Sequence, residues 1–247
     1  MNSYYMFLVF LFGASIGSFL AAFTYRYPRK LSMKGRSFCD ACKTKISWYD
    51  NLPLLSFLLL EGKCRKCQAK ISLRYFLIEL AVALGFLVLF LLFPGSFLFL
   101  WAVFAISVAI FVIDLEERVI PDDLVFSFAP LSFVFILITP EARLYERLFS
   151  GFAAAFFLLL IFFLTKGKGM GLGDVKLVIP LGFTLGALGT ISFVWLAFMI
   201  GAVVGIFLIF LGKKKLKSEV AFGPFLITSF WLIYLFGNFP LKLFGLI

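Results

Sequence analysis

Residues 75–114 read YFLIELAVALGFLVLFLLFPGSFLFLWAVFAISVAIFVID. Glu79 is the only charged side chain before Asp114, and the pair Pro94-Gly95 divides the stretch into two parts. Each part is about as long as the ~20 apolar residues that a helix needs to cross a bilayer, and Pro with Gly is typical of a break between helices. The stretch therefore predicts two consecutive membrane-spanning helices.

The rest of the chain continues this pattern, since 63% of its 247 residues are hydrophobic. Soluble domains average ~45–50% apolar residues, so a single soluble core is excluded. The apolar segments run from Tyr4 to about Tyr25 and over about 75–93, 97–113, 124–139, 148–165, 177–190, 192–212 and 222–241. We expect an all-α polytopic membrane protein with about eight transmembrane helices. A single re-entrant hairpin over 177–212 is the alternative, because its two segments share the glycine-rich break Gly186–Gly189.

Lysine and arginine are distributed unevenly among the predicted loops. If the N-terminus lies outside, the inside segments hold 20 of the 23 Lys and Arg, and these segments are 26–74, 114–123, 166–176 and 213–221. The outside keeps only Arg143, Arg147 and Lys242. This distribution obeys the positive-inside rule and explains the net charge of +10 without a nucleic-acid partner. It predicts a multi-pass protein of the cytoplasmic (inner) membrane, in contact with membrane lipid.

All four cysteines lie in the sizeable polar segment 26–74, as the pairs Cys39/Cys42 and Cys64/Cys67. Two Cys-x-x-Cys turns can complete a tetrahedral zinc site, and a site closed by four sulfurs is structural rather than catalytic. Redox chemistry and an iron–sulfur cluster are the alternatives, whereas disulfides are disfavoured in a reducing compartment. We expect a structural Zn²⁺ in a small cytoplasmic domain between the first two helices.

Two aspartates fall at the inner edge of predicted spans. Asp114 ends the run Trp101–Ile113, and Asp174 follows the glycine-rich stretch Gly169-Met170-Gly171-Leu172-Gly173. A lone aspartate there would be merely solvated, but two on different helices favour a functional site. Histidine is absent, which excludes Ser-His-Asp and Cys-His catalysis. A pair of close carboxylates that share a proton can supply one acid and one base, which suffices for amide hydrolysis.

A further set of motifs resembles a known family over nearly the whole chain. The resemblance rests on both cysteine pairs, on the two aspartates, on Glu79 and on the stretches Gly17–Leu20, Tyr25–Pro28, Arg36-Ser37, Trp48–Pro53, Gly62–Arg65, Ile71-Ser72, Arg74-Tyr75, Ile120–Asp122, Gly169–Lys176 and Phe222–Phe225. Together they resemble the type 4 prepilin peptidases, the bifunctional leader peptidase/N-methyltransferases of pilus, type II secretion and competence systems.

The resemblance implies a membrane aspartic peptidase of the Gly-x-Gly-Asp type, with Asp114 and Asp174 as the catalytic pair. Its substrates would be prepilins and pseudopilins, cleaved after a glycine on the cytoplasmic side. The new N-terminal residue would then be methylated with S-adenosylmethionine, whose binding residues the sequence does not identify. The expected domains are a first helix (1–25), a four-Cys zinc domain with the methyltransferase role (26–74) and a helical peptidase domain (75–247).

Two other classes of protein also fit parts of the sequence. An ion- or proton-coupled transporter with a zinc-ribbon module would also contain paired intramembrane acids, but its site belongs near the bilayer midplane. A membrane-anchored zinc-ribbon binding module would need neither eight spans nor a second aspartate. Glu79, inside a predicted span, needs a partner, and we expect an ion pair with Arg74 or Arg26.

Overall fold

The structure is a computed structural model that describes residues 3–39, 41–139, 143–212 and 220–237. The predicted Lys213–Lys217 break, Lys242 and the last predicted segment beyond residue 237 lie outside the described residues. Helices make up almost all of the regular structure in these ranges, and they are α1 (Ser3–Arg26), α2 (Leu55–Leu59), α3 (Leu73–Leu92), α4 (Phe97–Glu117), α5 (Asp122–Ile138), α6 (Leu144–Leu164), α7 (Leu172–Phe210) and α8 (Gly223–Phe236), with a 3₁₀ helix at Trp48–Asn51. The predicted all-α class is confirmed.

Five of these helices are long and apolar enough to cross a membrane, namely α1, α3, α4, α6 and α7. The two others of appreciable length are shorter, because α5 has 17 residues and α8 has 14. These lengths agree with a multi-pass membrane protein. The predicted count of eight spans is not confirmed by them.

The chain divides into two compact units, with the boundary between Ala109 and Ile110. In the first unit α1 packs along α3 without side chains between the two backbones. A Cβ added at Gly17 would lie 2.7 Å from the Cα of Glu79, and one at Gly13 would lie 2.9 Å from the Cα of Ala83. Gly13 and Gly17 thus form the small-xxx-small contact that is common between membrane helices.

In the second unit α7 is interrupted at Gly186, which has φ 74° and ψ −175°, a combination that glycine adopts readily. Thr190 Oγ1 donates to the carbonyl of Gly182 at 3.3 Å. In a straight helix these residues would be about 12 Å apart along the axis, so the chain bends sharply between them. The predicted break at Gly186–Gly189 coincides with this bend.

The bend leaves backbone groups without helical partners, and the start of α6 supplies replacements. Arg147 Nη1 donates to the carbonyl of Thr184 at 2.5 Å, and Glu146 Oε1 accepts the N–H of Ala187 at 3.4 Å. Because unpaired backbone groups are costly away from water, this pair of charged residues stabilises the bend. From the sequence, Arg147 is expected only to be one of the few charges of the outer loops, so this contact is not predicted.

We predict that Gly17→Val lowers the free energy of unfolding by about 1–3 kcal/mol, because the added side chain forces α1 away from α3. The matched control is Gly205→Val, since a Cβ at Gly205 has no atom within 4 Å. Thermal unfolding of the detergent-solubilised proteins measures both changes. Equal stability of the two variants would contradict the close contact.

Candidate functional site

Asp114 lies near the C-terminal end of α4 and is only 5% exposed. Its Oδ2 accepts the backbone N–H of Gly223 at 3.0 Å. Gly223 is the first residue of α8, and the first N–H groups of a helix have no partner within it. A Cβ at this glycine would lie 2.6 Å from Oδ2 of Asp114, so a larger residue could not approach the carboxylate in this way.

Asp174 is the third residue of α7 and is 6% exposed. Its Oδ2 accepts the N–H of Gly171, the residue that precedes the helix, at 3.1 Å, as in one half of a capping box. The other oxygen, Oδ1, is buried and has no hydrogen-bond partner among the described residues. A buried acceptor without a partner usually awaits a water or a ligand.

Ile120 connects the surroundings of the two aspartates. A Cβ at Gly173 would lie 2.9 Å from the Cβ of Ile120, and one at Gly223 would lie 3.1 Å from its Cδ1. The Ile120 side chain therefore packs against Gly173, which precedes Asp174, and against Gly223, whose N–H is bound by Asp114. The two carboxylates also lie near enough for their charges to repel each other. The structure thus brings the two predicted residues into one buried site, while their catalytic role stays a prediction.

An ion pair lies at the exposed side of this region. Lys176 Nζ is 2.8 Å from Oδ1 and 2.9 Å from Oδ2 of Asp122, and both side chains are about half exposed. The pair joins the start of α5 to the first turns of α7. Exposed pairs contribute little stability, so its effect is mainly to fix where α7 begins relative to α5.

The two cysteine pairs lie on turns with the same backbone structure. In the first, Cys39 N–H donates to the carbonyl of Thr44 at 3.0 Å; in the second, Cys64 N–H donates to that of Ala69 at 2.9 Å. An isolated antiparallel bridge flanks each turn, between Phe38 and Lys45 and between Lys63 and Lys70. Each turn also contains one residue with positive φ, Lys43 in the first and Gln68 in the second.

The sulfur atoms of these turns form one cluster. All four Sγ atoms lie within 4.8 Å of one another, and Cys39 Sγ and Cys67 Sγ are 3.8 Å apart. A tetrahedral zinc site with Zn–S bonds of about 2.3 Å has sulfurs about 3.8 Å apart. Hydrogen bonds with the side chain and backbone of Thr44 lower the pKa of Cys42 to about 6, whereas the lowering effect of the Ala69 backbone on Cys67 is outweighed by burial and the neighbouring thiols, which raise the pKa of Cys67 to about 11. The four predicted ligands therefore fit a zinc ion.

Comparison with known proteins finds a matching family for each of two parts of the sequence. Residues 11–93 match the family described as bacterial peptidase A24 N-terminal domain, and residues 101–206 match the type IV leader peptidase family. A protein of Vibrio cholerae named prepilin leader peptidase/N-methyltransferase is 32% identical over 255 residues, which cover 95% of this chain and 98% of the relative. The chain belongs to the prepilin leader peptidase/N-methyltransferase family.

Relatives with the same name occur in other bacteria. The protein of Aeromonas salmonicida is 33% identical over 270 residues, covering 95% of this chain and 91% of the relative. That of Bacillus subtilis is 32% identical over 234 residues, covering 94% of each. No solved structure matches the chain. The family resemblance predicted from the motifs is confirmed. The predictions of an enzyme and of an integral membrane protein are confirmed as well, and the transporter alternative is not favoured.

A large cavity in the first unit was missed by the sequence analysis. Its volume is about 950 Å³, and its walls include residues of α1, both cysteine turns and α3, among them Glu79. The expected ion pair of Glu79 is not found among the described residues, and Arg74 donates to the carbonyl of Ala21 and to Thr24 Oγ1. Arg26 instead reaches backbone carbonyls in the loop after α1. The feature of the sequence that could have indicated this cavity is Glu79, an acid inside an apolar segment.

We predict that the purified protein contains one zinc per chain, bound by Cys39, Cys42, Cys64 and Cys67. Elemental analysis measures the metal, and a content near zero with four freely titrating thiols would contradict the site. Replacing Cys64 by Ser should remove the zinc and destabilise residues 26–74, because zinc binding supplies much of the folding energy of such small domains.

Proposed function

We propose that this protein removes the leader peptides of prepilins and pseudopilins and then methylates the new N-terminus. The observation that carries the proposal is the pair of buried aspartates, Asp114 and Asp174, supplied by different helices. Family membership supports the substrate class, since the relatives are named prepilin leader peptidase/N-methyltransferase. The substrates would be those of type IV pilus and type II secretion systems, cleaved after a glycine.

In the peptidase reaction the two aspartates share one proton, because two carboxylates held close in a water-poor site do not both ionise readily. The ionised carboxylate takes a proton from a water molecule, whose oxygen then attacks the carbonyl carbon of the scissile amide. The protonated carboxyl gives its proton to the leaving amine as the C–N bond breaks. Asp174 Oδ1, which has no partner among the described residues, is suited to hold the attacking water.

For the membrane arrangement we propose eight spans, with the N-terminus outside and the aspartates on the cytoplasmic side. Asp114 ends a helix that would enter the cytoplasm, and Asp174 begins one that would leave it, so one membrane face suits both. The bend at Gly186 supports counting the two parts of α7 as separate spans. The domains are then the first helix (1–25), the cytoplasmic zinc domain (26–74) and the peptidase domain (75–247).

Residues 26–74 would carry the structural zinc and contribute to methylation. The volume of the cavity in the first unit, about 950 Å³, falls at the upper end of the ~300–1,000 Å³ typical of ligand pockets. Its walls carry both charged and apolar groups, which suits a molecule such as S-adenosylmethionine, with its charged carboxylate, ammonium and sulfonium groups and its adenine ring. When bound, this cofactor supplies an electrophilic methyl group. The neutral amine nitrogen of the cleaved pilin forms the N–C bond while the C–S bond breaks and releases a neutral thioether.

We expect Asp114→Asn and Asp174→Asn each to reduce cleavage of a prepilin by about 100-fold or more, because acid and base must act together. Asp123→Asn is the matched control, since Asp123 is exposed at the start of α5 and its loss should be mild. The mass of the N-terminus of a co-expressed prepilin measures cleavage. Near-normal cleavage by either of the first two variants would contradict the paired mechanism.

The second activity should survive loss of the aspartate pair, because methyl transfer to an amine needs no pair of carboxylates. The Asp174→Asn enzyme, given an already cleaved pilin with a free N-terminal Phe, should add one methyl group as detected by mass spectrometry. Its rate should fall as the pH drops below ~7.7–8.0, where the α-amino group becomes protonated. If wild type methylates this pilin and the variant does not, the aspartates also serve the second reaction.

A further inference from the structure

Glu79 is a buried acid whose partners in the described parts of the chain are uncharged. It lies in the second turn of α3 and is 9% exposed. Its Oε2 accepts the backbone N–H of Leu54 at 2.7 Å, and Ser18 of α1 lies beside it. In the described part of the chain no Lys or Arg forms an ion pair with it. A buried carboxylate is normally paired with a cation, and among the described residues Glu79 has a hydrogen-bond donor but no such cation.

The backbone around Glu79 is held in an unusual conformation. Leu54 has φ 60° and ψ −49°, a region that residues with a side chain rarely adopt. This conformation lets the Leu54 N–H reach Glu79, and the close approach of Gly17 to the Cα of Glu79 brings Ser18 alongside. Strained backbone persists where the surroundings enforce it, and it clusters at ligand sites.

Among the described residues, no other acid of this kind lines the cavity beside Glu79. Asp50 also lies on its walls, but Arg65 neutralises it through contacts of 2.7 and 3.0 Å. Most of the other charged groups on the walls are Lys and Arg. Within the described structure Glu79 is therefore the acceptor on these walls that remains available to a cationic ligand.

We propose that Glu79 binds the α-ammonium group of the cleaved pilin and so positions that N-terminus in the cavity for methylation. The inference rests on the proposed function, which supplies the pilin and the methyl transfer. At neutral pH the N-terminus is largely protonated, because α-amino groups have pKa values of ~7.7–8.0. The ammonium group gives this proton to the Glu79 carboxylate before the neutral nitrogen receives the methyl group.

The position of Glu79 favours the pilin over the methyl donor as the source of the ammonium group. Glu79 lies on α3, a helix apolar and long enough to span the membrane. Phe19 of α1 lines the same cavity and is 58% exposed, so the cavity reaches a surface that would face lipid. A pilin N-terminus is followed by an apolar helix, which can lie along such a surface, whereas the donor is a small polar molecule without an apolar segment.

The test combines one substitution in the enzyme with one modification of the pilin. Glu79→Gln keeps an oxygen that can accept the Leu54 N–H and removes only the charge. Acetylation of a pre-cleaved pilin removes the charge of its N-terminus. Binding of each pilin to each enzyme is measured by fluorescence anisotropy in detergent without a methyl donor. Glu61→Gln is the matched control, because the side chain of Glu61 is 83% exposed.

Wild type and Glu61→Gln should bind the free pilin about 10- to 100-fold more tightly than the acetylated pilin, as expected for one charge-assisted contact. Glu79→Gln should bind both pilins with nearly equal affinity. A purely structural role would weaken both pilins to the same extent and leave the ratio unchanged, and that result would overturn the proposal. Zinc content and thermal unfolding verify that the variant is folded.

Two further measurements separate the remaining explanations. Calorimetry with S-adenosylhomocysteine, the demethylated product, should give the same affinity for wild type and Glu79→Gln. A selective loss of this binding, with the pilin ratio retained, would assign Glu79 to the amino group of the donor and overturn its assignment to the pilin. Failure of wild type to methylate the free pilin would instead contradict the proposed second activity, and the binding ratio would still decide whether Glu79 holds the ammonium group.

Discussion

A carboxylate that is removed from water must be given hydrogen-bond donors, and this constraint organises both units of the molecule. Asp114, Asp174 and Glu79 each accept a backbone N–H, from Gly223, Gly171 and Leu54 respectively. Each donor lies at the start of a helix, where N–H groups have no helical partner and the positive end of the helix dipole favours an anion. The chain thus stabilises buried acids with backbone groups that have no partner within their own helix.

The same constraint links the cysteine turns to Glu79. Leu54 lies in the loop between Cys42 and Cys64, and this loop is closed when the four sulfurs bind one metal ion. Closing a loop limits the positions that its residues can take, so the metal would hold Leu54 near α3 although it does not touch Glu79. The metal would thereby help to shape the cavity without taking part in the chemistry. This explains why a closed four-sulfur cluster adjoins a proposed methylation site.

The sequence predicted features that depend on short stretches of chain. Hydropathy located the apolar segments, the Cys-x-x-Cys spacing located the cluster, and the glycines located the bend in α7. The two aspartates were found because each ends or begins an apolar run. The donors to Asp114 and Glu79 were not foreseen, because Gly223 is 109 residues from Asp114 and Leu54 is 25 from Glu79. Such pairs depend on how helices pack, and an apolar run carries little information about which neighbour it faces.

The short helices of the second unit have a consequence for the surrounding bilayer. With 14 residues in α8 and 17 in α5, these helices extend about 21 and 26 Å, less than the ~30 Å thickness of the hydrocarbon core. If α5 and α8 cross the membrane, as in the proposed eight-span arrangement, the bilayer adapts to them by becoming locally thinner. We therefore expect lipid headgroups and water to dip toward the aspartates, so that hydrolysis could occur at a depth where an undeformed bilayer would contain only acyl chains.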